Sequence, residues 1–400
     1  MFARALAPTL KRLATQYPVV SLTGPRQSGK TTLTRLVFPK YHYVSLEDPE
    51  QREFATRDPR GFLGSHPGGV ILDEAQRAPH LFSYIQTLVD LEGKPGRFIL
   101  TGSQQFLLLS KVSQTLAGRI ALLQLHPLSL SELRGTRPLV PDRLLHAHAP
   151  SSAPPSPGSV DRILFRGMYP RIHDKKMDAR EWYGSYLRTY VERDVRDVLR
   201  IGDLGTFQSF VRLCAGRTGQ LLNLSSLAAD CGITHPTARA WLSVLEASSL
   251  VFLLRPHSRN FSKRIIKTPK LYFLDSGLLC YLLRIRNEED LATHPLRGNI
   301  FETFILSEIY KVFAHAGEDP PLFFWRDQTG HEVDLTIDLG RTVVPVEIKS
   351  AKTIATDFFR GLRYWMSLPG NSSKDGILVY GGEKGYNREG IQVRPWHTCS

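Results

Sequence analysis

The chain has 400 residues, 42% of them hydrophobic, enough for packed cores and for two to four domains. Its formal charge of +13 favours an anionic partner, most simply nucleic acid. No apolar run is long enough to span a bilayer, Met1 to Leu13 lacks the apolar stretch of a signal peptide, and Cys214, Cys231, Cys280 and Cys399 lie far apart without metal-ligand spacing, so the expectation is a cytoplasmic protein with reduced thiols and no membrane partner.

The first predicted strand, Val19-Val20-Ser21-Leu22, runs into Gly24-Pro25-Arg26-Gln27-Ser28-Gly29-Lys30-Thr31, a complete G-x-x-x-x-G-K-T loop, and then into a helix-like run from Thr32. Glycines let such a loop bend so that successive backbone N–H groups face the α- and β-phosphates of a nucleotide, and the following helix adds its positive end. Lys30 is then placed for the β- and γ-phosphates and Thr31 for Mg²⁺, making Gly24 to Thr32 the expected ATP-binding segment. The buried run Gly69-Val70-Ile71-Leu72 ends in Asp73-Glu74, which suits Asp73 to hold Mg²⁺ and Glu74 to polarise an attacking water. A further strand, Phe98-Ile99-Leu100, leads to Thr101-Gly102-Ser103-Gln104, where Ser103 or Gln104 is the candidate γ-phosphate sensor. Ile120 to Leu125 completes a parallel sheet interleaved with helices, an α/β core over 1–135.

Residues 136–160, rich in Pro, Ser and His, read as a linker or insertion without a core, and 161–205 as the helical lid of the ATPase, with Glu181 to Leu199 helical. Residues 206–290 have the pattern of a winged helix. A short helix from Leu224 is ended by Gly232, and a second, capped by Thr234, carries Ala238, Trp241, Leu242 and Leu245 as a buried stripe. Its opposite face offers His235, Arg239 and Ser243 to DNA, and a basic hairpin tip with Arg259, Lys263 and Arg264 suits phosphate contacts.

In 291–400, His331 to Leu339 alternates strictly, with Glu332, Asp334, Thr336 and Asp338 on one face and Val333, Leu335, Ile337 and Leu339 on the other. Val343 to Lys349 alternates as well. A two-residue turn at Gly340-Arg341 sets Asp334 across from Glu347 and Glu332 across from Lys349. Two facing carboxylates repel unless a divalent cation lies between them.

These motifs resemble the AAA-type ATPases, more narrowly the prokaryotic proteins that join such a domain to a C-terminal DUF4143 domain. The resemblance covers nearly the whole chain, through Gly24 to Thr31, Val70 to Pro79, Leu100 to Ser103, Leu116-Ala117-Gly118-Arg119, Gly167 to Pro170, Tyr190 to Val195, Lys270 to Leu278 and the closing Glu-x-Lys. It implies an arginine finger at Arg119, directed in such ATPases toward a neighbouring subunit, and hence a homo-oligomer. The last domain is similar to the PD-(D/E)xK nucleases, which implies Asp334 and Glu347 as metal ligands, Glu302 as an auxiliary ligand and Lys349 as the catalytic cation, although Val333 replaces the motif's Pro. The function so implied is an ATP-hydrolysing enzyme acting on DNA. A nucleotide-gated regulatory or defence-related binding protein, its C-terminal domain non-catalytic, is the alternative.

Overall fold

The computed structural model describes residues 1–102, 115–146, 158–190, 204–257, 268–369, 371 and 375–400. The chain divides into two compact units, one of Met1–Leu128 with Ala247–Ser249 and Ala314–Glu318, the other of Ser129–Glu246, Leu250–Phe313 and Asp319–Ser400.

In the first unit, the mostly apolar runs Val19–Thr23, Val70–Asp73 and Phe98–Thr101 make strands buried on both faces, as the centre of a parallel sheet covered by helices requires. Strands β1 (Val19–Thr23), β2 (His42–Ser45), β3 (Val70–Asp73), β4 (Phe98–Thr101) and β5 (Ile120–Gln124) form one sheet in the order β2-β3-β4-β1-β5. All four adjacent pairs are parallel. Alternate residues feed two cores: Val19, Leu72, Phe98 and Leu100 on one side, and Val20, Leu22, Ile71 and Ile99 on the other. Helices α1 (Ala7–Ala14) and α2 (Lys30–Val37) contribute Leu10 and Leu33 to the second core, while α3 (Pro49–Arg57), α4 (Pro59–Gly64) and α5 (Leu81–Glu92) contribute Ala55, Phe62 and Ile85 to the first.

The second unit differs from the sequence expectation in three places. Part of the expected linker is helical: Pro141–His146 forms α7, whose Leu144 is buried, and before it, at the end of the expected 1–135 core, Leu130–Arg134 forms α6 with a Ser129–Glu132 capping box. The expected lid forms α8 (Val160–Arg166), α9 (Pro170–Asp174) and α10 (Ala179–Tyr190) within this second unit. Of these, α8 and α10 pack on α14 (Ser276–Leu282), and Tyr169, Trp182, Tyr183 and Tyr186 form one aromatic cluster beside buried Asp275. Asp275 accepts from the Tyr183 hydroxyl at 2.6 Å and from the N–H groups of Met168 and Leu278 at 2.7 and 2.8 Å. Val191 to Leu199 of the expected long helix, Arg193 among them, lies outside the described residues.

The third difference concerns the boundary between the last two expected domains. Helices α11 (Leu204–Gly216), α12 (Leu224–Asp230) and α13 (His235–Ala247) precede an antiparallel pair, β6 (Val251–Pro256) and β7 (Lys270–Phe273). The two helices after Leu224 and the strand after Leu250 stand where they were expected, the helix Leu204–Gly216 precedes them, and the expected hairpin tip lies outside the described residues. However, β6 also pairs in parallel with β8 (Leu322–Arg326) through Arg255↔Phe323 and Pro256↔Phe324. One eight-stranded sheet results, ordered β12-β13-β11-β10-β9-β8-β6-β7, with β9 (Glu332–Asp338), β10 (Val343–Lys349), β11 (Gly376–Tyr380), β12 (Tyr386–Arg388) and β13 (Ile391–Pro395). His257 reinforces the junction: its N–H donates to the Phe324 carbonyl at 2.7 Å, and its Nε2 lies 2.9 Å from Asp338. Helices α15 (Glu288–Thr293), α16 (Arg297–Ala316) and α17 (Arg360–Ser367) complete the unit. Among the described residues, no helix is long and apolar enough to cross a membrane, and the four cysteines are free thiols.

Candidate functional site

The strand β1 delivers the chain into the loop, and backbone geometry there is set by glycine. Gly24 has φ +136°, and a Cβ on it would lie 2.2 Å from the Leu125 carbonyl oxygen, so no other residue fits. Gly29 (φ +95°) turns the chain into α2, whose first residue is Lys30. The buried Lys30 ammonium donates to the Gly24 and Pro25 carbonyls, both at 2.9 Å, holding it inside the loop. Ser28 Oγ is buried without a hydrogen-bond partner among the described residues, and Gln27 is exposed with φ +62°. Arg26 is half-buried, and Thr32 follows Thr31 in the first turn of α2.

The two halves of the expected nucleotide site meet. Thr31 Oγ1 donates to Asp73 Oδ2 at 3.0 Å, so the loop hydroxyl and the strand-end carboxylate share one spot. Asp73 also accepts from the Thr101 hydroxyl at the end of β4 and from Tyr43 at 2.7 Å. Burial, and then the hydrogen bond to this anion, push the Tyr43 phenol well above its ordinary value. Tyr43 is a residue that sequence reasoning missed, since β2 presents only one buried apolar residue, Val44, and carries no strand pattern. The following Glu74 sits in the left-handed region (φ 53°, ψ 45°), its carboxylate accepting from Gln76 Nε2. The set fits a Mg-nucleotide: two hard oxygen donors side by side, a lysine in a backbone cradle and an orphaned buried hydroxyl.

Arg119 does not extend from the unit. Its guanidinium is bidentate to Asp90 of α5, Nε–Oδ1 2.5 Å and Nη2–Oδ2 2.9 Å, which holds the Asp90 carboxyl below its usual range. Ser103 and Gln104 lie outside the described residues, as do Arg259, Lys263 and Arg264. On α13, Ala238, Trp241, Leu242 and Leu245 are buried, and His235, Arg239 and Ser243 are exposed on the other face, as the spacing predicts.

The β9–β10 hairpin has the expected register. Val343↔Asp338, Val344↔Ile337, Pro345↔Thr336 and Val346↔Leu335 pair, and Leu339 closes on Thr342 around Gly340-Arg341. The ladder then stops, because the Ile348 N–H donates to the Asp334 side chain at 2.9 Å. Two expectations therefore change. Lys349 does not face Glu332; its ammonium lies 2.5 Å from Glu347 Oε1 and 3.5 Å from Asp334 Oδ2, so the facing carboxylates are bridged by a lysine. Glu332 instead accepts from Lys270 of β7 and lies 3.5 Å from Arg326.

Glu302 on α16 accepts from Tyr272, also of β7. Burial, with the Asp334 charge adding to it, raises Glu302 to about 7 and Glu347 to about 8. Burial opposes the charge on Lys349, but Asp334 and Glu347 more than offset it and raise its pKa. Glu347 Oε2 is buried with no hydrogen-bond partner among the described residues. Its neighbour is Gly361 of α17, where a Cβ would lie 3.3 Å from that oxygen. Among the described residues no group of three or more His, Cys, Asp or Glu is gathered closely enough to hold a metal ion, so Glu302, Asp334 and Glu347 do not form a closed cage.

A family model described as "AAA domain" matches residues 16–134, one described as "Domain of unknown function (DUF8612)" residues 158–289, and one described as "Domain of unknown function (DUF4143)" residues 297–399. The uncharacterized protein Rv2008c of Mycobacterium tuberculosis is 33% identical over 355 residues, 88% of this chain and 74% of its own length. The uncharacterized protein Mb2031c of Mycobacterium bovis matches with the same values. The chain belongs to this family of AAA-domain proteins with a C-terminal DUF4143 domain. Solved structures similar to this AAA–DUF4143 protein include the Walker-type ATPase PABY2304 of Pyrococcus abyssi (16% identity, TM-score 0.43, 70% of this chain and 95% of that one). The RuvB Holliday junction branch migration motor of Thermotoga maritima follows at 19% identity and TM-score 0.30, over 62% of this chain and 87% of that one. AMPPCP-bound DnaA from Aquifex aeolicus stands at 15% and 0.29, over 60% and 85%. The β2-β3-β4-β1-β5 sheet with its phosphate loop is the P-loop ATPase architecture of the AAA domain.

Proposed function

We propose that this chain binds and hydrolyses ATP with Mg²⁺ at the phosphate loop, and that the nucleotide state controls how the second unit engages DNA. The observation that carries the reading is the Thr31–Asp73 hydrogen bond beside the cradled Lys30, which joins residues 42 positions apart at one point. Thr31 and Asp73 would hold Mg²⁺, which supplies charge neutralisation at the phosphates. Lys30 leaves the Gly24 and Pro25 carbonyls for the β- and γ-phosphates, the loop N–H groups and Ser28 bind phosphate oxygens, and Glu74 accepts a proton from the attacking water. Arg119 serves a neighbouring subunit only after release from Asp90.

Support for DNA as the partner comes from the +13 charge and the exposed His235–Arg239–Ser243 face of α13. In the carboxylate site, Asp334 and Glu347 would hold a divalent ion, which supplies Lewis acidity, while Lys349 stabilises charge on the scissile phosphate. A specific observation favours the second reading, a regulatory binding protein with a non-catalytic C-terminal region: Lys349 is already engaged by both carboxylates. Incubating plasmid with the full chain, ATP and Mg²⁺ or Mn²⁺ tests the two. Metal-dependent cleavage lost in Asp334→Asn supports the nuclease reading; intact plasmid with DNA-stimulated ATP turnover leaves the binding protein. Absence of ATP turnover with and without DNA would sink both.

A further inference from the structure

The phosphate loop leans on a residue that lies outside the AAA-domain match. Arg4 precedes both α1 and the match, which begins at residue 16. Its neighbours fix its place: Leu6 is fully buried in the core that also takes Leu10, Leu33 and Leu125, and the Ala7 N–H donates to the Arg4 carbonyl at 3.1 Å. From there the half-buried side chain reaches the loop. Nη1 donates to the Ser28 carbonyl at 2.6 Å and Nη2 to the His126 carbonyl, just past β5, at 2.7 Å. One planar guanidinium thus ties the loop to the end of β5, whose following Leu125 carbonyl Gly24 also abuts. A peptide unit is planar, so the Ser28 C=O and the Gly29 N–H point opposite ways. Glycine takes positive and negative φ about as readily, so the backbone of Gly29 (φ +95°) does not itself oppose turning this peptide over. The guanidinium on the carbonyl does.

We propose that Arg4 is a positioning residue of the nucleotide site, a clamp that holds the Ser28–Gly29 peptide with its N–H toward the phosphates and its carbonyl away from them. This rests on the ATP-binding part of the function proposed above. With the peptide turned over, a carbonyl dipole would face the phosphates where an N–H should, replacing attraction by repulsion. Arg4 acts through the Ser28 carbonyl and not on the nucleotide itself. Its loss therefore weakens ATP and ADP alike, because a loop of this kind cradles the α- and β-phosphates that both carry. Lys30, Thr31, Asp73 and Glu74 are unaltered, so the turnover of bound ATP changes little.

The test is binding of fluorescent ATP and ADP analogues with Mg²⁺ to the full chain, alongside steady-state ATP hydrolysis, in wild type, Arg4→Met and Lys30→Ala, with melting curves confirming that each is folded. Met keeps an apolar stem and removes the guanidinium. Arg4→Met should bind both analogues ~10-fold or more weakly, the scale of one charge-assisted hydrogen bond, and raise KM in parallel while kcat stays within about 2-fold. Wild-type affinity in Arg4→Met, when Lys30→Ala has lost it, overturns the inference and leaves the loop as the ATP site. Weakening for ATP but not for ADP overturns it as well, since the guanidinium would then act on the γ-phosphate directly. A fall in kcat at unchanged KM, the mark of fewer folded molecules, would reduce Arg4 to a structural residue. If wild type binds neither analogue, the inference falls with the ATP reading. Should Arg4→Met not fold, Arg4→Gln is measured in its place, and wild-type affinity there overturns the inference.

Discussion

In the first unit the residues proposed to bind phosphate are contiguous from Gly24 to Thr32, and most of the donors such a loop would offer are backbone groups placed by the turn itself. The carboxylate cluster of the second unit draws Lys270, Glu302, Glu332, Asp334, Glu347 and Lys349 from four elements, and every charge in it leans on another side chain. A loop of this kind would meet an anion largely with amide dipoles that carry no net charge and need no counter-ion. The cluster must compensate buried carboxylates one by one, with ammonium groups, a tyrosine hydroxyl and retained protons. A site of the first kind is robust to what surrounds it, whereas one of the second kind is as sensitive to its neighbours as to its own residues.

The sharpest way to break this contrast is to change one functional group in the loop site while leaving its backbone alone. Glu74→Gln should retain ATP binding and lose ~10²–10⁴-fold in hydrolysis, the contribution of a positioned general base. Parallel measurements of phosphate release and of fluorescent-nucleotide affinity check it; loss of both together would mean that Glu74 is structural. Lys30→Ala removes the charge-assisted hydrogen bonds to phosphate, about 1.5–3 kcal/mol each, so ATP affinity should fall on the order of 100-fold. Wild-type affinity in that variant would remove the loop from the reading.

The cluster makes a prediction that the loop does not. Folding raises the Glu347 carboxyl from an ordinary 4.5 to about 8, and Glu302 to about 7. Between about 4.5 and about 8 the folded chain therefore holds protons that the unfolded chain has released. Their stabilisation is fully present below about 4.5 and is lost as the pH rises through about 7 and then about 8. In metal-free buffer with chelator, the Tm of the second unit should fall from pH 5 to pH 9, and Glu347→Gln should flatten the upper part of that fall. A profile that rises over this range would show that the two carboxyls are ionised from the start. The smallest effect concerns the α13 face. Replacing His235 and Arg239 by Ala should lower the slope of log affinity against log salt by up to ~0.9 for each phosphate no longer neutralised, so by less than ~2. An unchanged slope would assign that face to protein contacts.

How far each site was legible follows from the same contrast. The G-x-x-x-x-G-K-T loop, the Asp73-Glu74 strand end and the buried stripe of α13 are local patterns, and local patterns carry their own geometry. Even the β9–β10 register was readable, because strict alternation and a two-residue turn leave one pairing. What escaped were single polar residues that act at a distance. Tyr43 reaches Asp73 from an edge strand of mixed character, and Lys270 and Tyr272 reach the carboxylates from a strand that reads as buried and apolar between them. The expected facing of Glu332 and Lys349 failed because the Asp334 side chain takes the Ile348 N–H, and no periodicity encodes that substitution of side chain for main chain. The continuation of the sheet across the expected boundary at residue 290, which the two family matches respect, escaped for a related reason. Only two residue pairs, Arg255↔Phe323 and Pro256↔Phe324, join the sheets, too few to leave a mark in composition.

That join has a consequence for the order in which the protein is made. Synthesis from the N-terminus completes β6 at Pro256, while its partner β8 begins at Leu322, after α14, α15 and the long α16. On a ribosome adding ~5–20 residues per second, the β6 edge waits several seconds with unpaired N–H and C=O groups before β8 emerges. An open edge of that kind is a template for strand addition from another chain. The interval between Pro256 and Leu322 is thus a stage of biogenesis at which this edge is open to strand addition from another chain.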